Sequence, residues 1–147
     1  MKIAVGSDER TNLTDFVVEE LKNQGHEVEL YGPLREEDIQ WTDVAHKVSE
    51  KVKDGSCDQG ILFCWTGTGV SIAANKVPGV RAALCTDAQT AEGARKWNDA
   101  NVLAMSLRAT SQTVAKEILE AWFKSSLEEE EKINIDKVHL IEKKYSR

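Results

Sequence analysis

Residues 60–76 read Gly60-Ile-Leu-Phe-Cys64-Trp-Thr-Gly-Thr-Gly69-Val-Ser-Ile-Ala-Ala-Asn75-Lys. Gly60–Cys64 is a short, unbroken apolar run, the pattern of a strand buried on both faces. Trp65–Gly69 is a glycine-containing turn. Val70–Lys76 reads as a short helix, broken by Pro78-Gly79. The same strand–turn–helix order repeats outward. Upstream, Met1–Gly6 is an apolar run opening into Gly-Ser-Asp. Leu13, Phe16, Val17 and Leu21 follow at helical spacing, and Asn23-Gln24-Gly25 stops that helix. Glu27–Tyr31 is a second strand, ended by Gly32-Pro33. Val44, Val48 and Val52 at i, i+4, i+8 mark an amphipathic helix. Downstream come a strand (Val80–Cys85), an Ala-rich helix (Ala88–Trp97), a strand (Asn101–Met105) and an amphipathic helix (Ser111–Lys124). The acidic run Glu128–Glu131 opens a last helix carrying Ile133, Ile135, Val138 and Ile141.

Five short, mostly non-alternating strands separated by helices predict an α/β fold: a parallel sheet covered on both faces. Ligands of such sheets sit beyond the carboxyl ends of the strands. The loops of interest are therefore Ser7–Asn12, Trp65–Gly69, Thr86–Gln89 and Ser106–Thr110. The last helix follows a complete five-stranded unit. It either packs on a partner subunit or covers its own sheet.

A length of 147 residues fits one domain, residues 1–147. The net charge of −6 gives no general attraction to nucleic acid or anionic membrane. No stretch of 18 apolar residues is present, and the polar turn after five residues is unlike a signal peptide. Three scattered cysteines do not read as a disulfide framework, and a reducing cytoplasm is the simplest location. The cysteines and His26, His46 and His139 show no metal-ligand spacing, and no cofactor motif is evident.

The chemistry concentrates at Cys64-Trp-Thr66-Gly67-Thr68-Gly69. Glycines at a strand end let backbone N–H groups surround an anion, and the following helix start adds partial positive charge. Such surroundings favour a thiolate, making Cys64 a candidate proton acceptor. The same stretch reads equally as a structural turn with a buried thiol. It matches neither the nucleotide-hydrolase phosphate loop nor the dinucleotide fingerprint, since the position three after Gly69 is Ile72. Asp8, with Glu9 and Arg10 beside it, ends the first strand on the same edge, as a ligand or as a loop-capping carboxylate. Cys57 falls at the other end of the sheet and reads as structural. Cys85 reads as a packed thiol.

The block Gly60–Ala82, with Gly6-Ser7-Asp8 and Asn98-Asp-Ala-Asn-Val-Leu-Ala104, resembles the type B ribose-5-phosphate isomerases and the related galactose-6-phosphate isomerase subunits. The resemblance covers nearly the whole chain. It implies a Rossmann-like three-layer sandwich and a homodimer or dimer of dimers with active sites at the interface. It implies aldose–ketose isomerisation of a sugar or sugar phosphate through a cis-enediolate, without metal or cofactor. Cys64 matches the base, Thr66, Gly67 and Gly69 the anion hole, and Asn75 a residue closing that loop. Asp8 matches a sugar-binding acid and Arg108 a phosphate-binding arginine. Thr68 belongs to the same turn.

The departures are as informative. Glu9 stands where the family carries His, and Trp97, before Asn98, stands in place of the ring-opening His. Trp65 replaces a glycine, and Trp41-Thr42 replaces a Tyr-Pro pair lining the sugar site. The partner-reaching segment carrying Arg-His and a second Arg falls on Glu130, Glu131 and Asn134. These changes imply a specificity altered from ribose 5-phosphate; a substrate already open-chain needs no ring-opening His. The alternative is a non-catalytic or partner-dependent sugar-binding subunit. One galactose-6-phosphate isomerase subunit likewise carries Ser-Asp-Glu.

Overall fold

The computed structural model describes residues 1–146. Five strands form one all-parallel sheet in the order β2-β1-β3-β5-β4. They are β1 (Lys2–Ser7), β2 (Glu27–Tyr31), β3 (Gln59–Cys64), β4 (Ala82–Leu84) and β5 (Val102–Ser106). The helices are α1 (Asn12–Asn23), α2 (Trp41–Lys53), α3 (Thr68–Ala74), α4 (Ala88–Asn98), α5 (Gln112–Lys124) and α6 (Lys132–Tyr145). This is the expected Rossmann-like α/β sandwich. The chain leaves β1 for β2 on one side and returns to β3 on the other. The topological switch point therefore lies between β1 and β3, where a crevice opens at the carboxyl ends.

The strand pattern is apolar throughout because both faces are covered. Ile3, Val5, Ile61, Phe63, Leu103 and Met105 face α1, α4 and α5 in one core. Ala4, Leu62, Cys64, Val102 and Ala104 face α2 and α3 in the other. The second face is built from small residues so that α2 can approach closely. A Cβ on Gly6 would lie 2.5 Å from Val44 Cγ1, and one on Gly60 would lie 2.7 Å from Val48 Cγ1. The predicted valine stripe of α2 is thus seated directly on strand glycines.

Three elements differ from the sequence expectation by more than one residue. The helix α3 begins at Thr68, so Thr68 and Gly69 form its first turn rather than a loop. The strand β4 spans only Ala82–Leu84. The Pro78-Gly79 turn carries on through Val80, whose N–H donates to Val77 O, and Arg81 N–H donates to the Asn101 side chain at 2.7 Å. The acidic run forms a separate 3-10 turn, Glu129–Glu131, ahead of α6.

The last helix does not cover the sheet. Ile135 is its one buried residue, while Ile133, Val138, Leu140, Ile141 and Tyr145 are exposed. Glu142 accepts from Gly79 N–H at 2.9 Å, and Arg81 Nη1 lies 3.2 Å from His139 Nε2. No helix of the described residues is long and apolar enough to cross a membrane.

Candidate active site

Cys64 ends β3 at the switch point, 6% exposed and on the α2/α3 side of the sheet. The backbone turns at once after it. Gly67 takes φ +79, a left-handed conformation that glycine adopts without strain, and this turn starts α3. The fit is tight on the sheet side as well: a Cβ on Gly67 would sit 2.6 Å from Leu84 Cδ1 and 3.0 Å from the Met105 carbonyl carbon. The first-turn N–H groups of a helix have no intrahelical acceptor, so they face outward with their partial positive charge. Thr66 and Thr68 join through their hydroxyls at 2.8 Å and rim this turn.

Two buried serines pin the neighbouring loops. Ser106 Oγ donates to Trp65 O at 2.9 Å and accepts from Ala109 N–H at 3.1 Å. Arg108 N–H also donates to Trp65 O, at 3.1 Å, which holds the exposed Arg108 beside the Cys64 turn. Ser7 Oγ donates to Glu9 O at 2.6 Å and accepts from Glu9 N–H at 3.2 Å, folding the loop that carries Asp8. The sequence signal for these pins was a serine ending each strand, and sequence reasoning gave them no role. Burial, with a smaller contribution from the charge of Glu9, raises the Asp8 carboxyl above its ordinary range against its own backbone hydrogen bond. Glu9 is exposed. Arg10 does not reach toward Cys64, because its Nε donates to Asp15 at 2.9 Å on the surface.

Trp41 starts α2 and lies against the same turn. A Cβ on Gly69 would be 3.0–3.3 Å from three atoms of the Trp41 six-membered ring. Trp65 is 60% exposed at the mouth of the edge. The carboxyl edge therefore gathers Asp8, Glu9, Trp41, Cys64, Trp65, Thr66, Gly67, Thr68, Gly69 and Arg108.

Asn75, Trp97 and Asn98 are elsewhere in the chain. Both α3 and α4 run antiparallel to the strands, so their last residues lie at the amino ends of the sheet. Asn75 does not close the Gly67 turn of its own chain. Its side chain donates to Ala82 O at 3.0 Å and accepts from Ala82 N–H at 2.8 Å, fixing the start of the edge strand β4. Trp97 is 52% exposed, its indole folded back on the Cα of Gly93. These residues line a groove of about 860 Å³ between β4 and α6, with Arg81, Glu131 and Asn134. Among the described residues, no histidine lies at the carboxyl edge. His26 is beside the Met1 amino group and the Phe123 ring, His46 is beside Glu50 on α2, and His139 is on α6.

A parallel sheet with a thiol, a left-handed glycine turn and a carboxylate at its switch point defines a candidate anion-binding site of an α/β enzyme. The family profile described as Ribose/Galactose Isomerase matches residues 3–139, so the chain belongs to that family of sugar-phosphate isomerases. A ribose-5-phosphate isomerase B from Listeria innocua is 38% identical over 126 residues, covering 85% of each chain. A D-erythrulose-4-phosphate isomerase from Pectobacterium atrosepticum is 40% identical over 131 residues, covering 87% of this chain and 86% of that one. The solved structure of Clostridium thermocellum ribose-5-phosphate isomerase B superposes with a TM-score of 0.93 at 42% identity, covering 99% of this chain and 100% of that one.

Proposed function

We propose that the chain interconverts an aldose and a ketose phosphate through a cis-enediolate, with Cys64 as the base. The Cys64 thiolate takes the proton from C2 of the aldose, and the C2 electrons shift onto the C1 carbonyl oxygen. The N–H groups of the Thr66–Gly69 turn stabilise that oxygen; one such donor is worth about 10²–10³ in rate. The thiol returns its proton to C1 as the proton on the C2 hydroxyl passes to the first oxygen. The scheme uses no metal ion. Asp8 holds a sugar hydroxyl, and Arg108 holds the phosphate. The observation that carries this reading is the left-handed Gly67 turn set immediately after Cys64 at the switch point.

The separation of Asn75, Trp97 and Asn98 from Cys64 supports a site completed by a second subunit. In a two-fold dimer the same surfaces meet twice, so one chain's groove can cover the other's Cys64 edge. The exposed apolar residues of α6 suit that contact. Specificity departs from ribose 5-phosphate. The three histidines are engaged elsewhere, and Trp97 has no acid–base group to open a sugar ring. A tetrose phosphate needs none, because its C4 oxygen is esterified and no five-membered ring can close. The similarity to a D-erythrulose-4-phosphate isomerase supports the same direction.

The test is deuterium incorporation from heavy water, read by NMR over four-, five- and six-carbon sugars with and without phosphate. Exchange at C1 or C2 of one of them, abolished in Cys64→Ala, is the expected result. No exchange in any of them overturns it. A second reading, a binding subunit completed by a different chain, rests on the same divided site. Turnover by a pure homo-oligomer refutes it.

A further inference from the structure

We propose that Trp41 sets the length limit of the sugar site, excluding substrates one carbon longer than a tetrose. The inference rests on the reading above that the reacting carbons bind at the Cys64 turn.

The geometry is that of a fixed wall. The ring of Trp41 meets Gly69 so closely that even a Cβ there would find ring atoms at 3.0, 3.1 and 3.3 Å. No water layer fits between the indole and the turn. The residue is 39% exposed, so part of the ring remains free to meet a ligand held at the same edge. Gly69 is bare because the indole occupies the space of its side chain.

Nor is the indole a loose lid. Its helix is seated on strand glycines through Val44 and Val48. The connection from β2 is clamped by one carboxylate. Glu37 accepts from Gly32 N–H at 3.0 Å, from Arg35 Nε at 2.7 Å and from Lys47 Nζ of α2 at 2.9 Å. A substrate anchored by its carbonyl end on the turn must run past this wall. A rigid wall distinguishes homologues by length, and one carbon is worth about tenfold to two-hundredfold in kcat/KM.

The experiment compares D-erythrulose 4-phosphate with D-ribulose 5-phosphate as substrates of the full-length protein. Neither ketose can close a five-membered ring, so ring opening plays no part and length is the variable. The wild type is expected to prefer the four-carbon ketose. In Trp41→Ala the four-to-five-carbon ratio of kcat/KM falls at least tenfold, mainly through a lower KM for the longer substrate. Trp41→Phe gives an intermediate ratio and keeps an aromatic ring on Gly69 should the alanine variant fail to fold. A ratio unmoved in the folded variants overturns the proposal while leaving the isomerase reading intact. So does a wild type that prefers the five-carbon ketose. A wild type inert on both ketoses, and without exchange in the wider sugar panel, overturns the isomerase reading and this proposal together.

Discussion

Replacing Gly67 by alanine separates two costs that coincide at the candidate anion turn. The first is backbone conformation. Gly67 has φ +79, where a side chain costs about 1–2 kcal/mol. The second is space. The new Cβ would meet Leu84 Cδ1 at 2.6 Å and the Met105 carbonyl carbon and oxygen at 3.0 and 3.1 Å. The leucine tip can rotate away. The Met105 contact is backbone of the interior strand β5 and cannot, so overpacking adds about 1–3 kcal/mol. The expected loss for Gly67→Ala is about 2–5 kcal/mol. Gly25 supplies the control: its φ is +86, but a Cβ there meets nothing within 4 Å. Gly25→Ala should lose only the conformational part, about 1–2 kcal/mol.

Equilibrium urea unfolding at one fixed protomer concentration reads both variants, with equal m-values as the condition for comparison. Equal losses for the two variants would refute the packing argument. The functional half is read on whatever sugar shows Cys64-dependent exchange. If the turn's N–H groups hold the developing oxyanion, shifting them should lower kcat about 10²–10³-fold in Gly67→Ala at a temperature where it is folded. Unchanged turnover in that variant would remove the turn from the mechanism.

Asp8→Asn should trade function for stability. Burial raises the Asp8 carboxyl above 3.8, so the folded state disfavours its charge, and the stability tied to this group is complete below pH 3.8 and lost as pH rises through the raised value. The variant should therefore melt higher than wild type at pH 7. The gain should vanish below pH 3.8, and KM should rise about tenfold or more as a charged hydrogen bond to the sugar is lost; a lower Tm at pH 7 would contradict the burial argument. Glu37→Gln should do the opposite. Arg35 and Lys47 beside it and the Gly32 N–H hold the Glu37 carboxyl down at about 2, against 4.5 when free. Its stabilisation is complete above pH 4.5 and lost as pH falls toward 2. The variant should melt below wild type at pH 7, the two converging across that window; a constant gap would show that the clamp does not act through charge.

Much of the fold was legible because both sheet faces are buried. Runs such as Ile61–Phe63 and Val102–Met105 carry a strand signal that needs no partner information. The glycine turn after Cys64 was legible for the same local reason. Strand order was not, since β5 inserts between β3 and β4 and nothing in either run specifies its neighbour. Thr68 was misplaced because a positive φ at Gly67 lets a helix begin directly on the turn. The spatial division of the candidate residues was hidden too. Asn75 stands at the end of α3 and Trp97 near the end of α4, and each helix, running back along the sheet, carries its residue to the sheet's far end.

That division gives the exposed indoles a common meaning. The fold leaves Trp65, Trp97 and part of Trp41 uncovered, together with the apolar residues of α6. Apolar surface of this kind is costly on an isolated chain. Asp8 likewise departs from local rules, as a partly buried carboxylate. Departures from local consistency gather where a protein acts rather than where it merely folds. Here they sit at two ends of one sheet. On the proposed reading each end supplies half of an enclosed sugar site: thiol and anion turn at one, amide and indole at the other. In the two-fold dimer proposed above, both would be complete at once and the indoles would be buried in the same step.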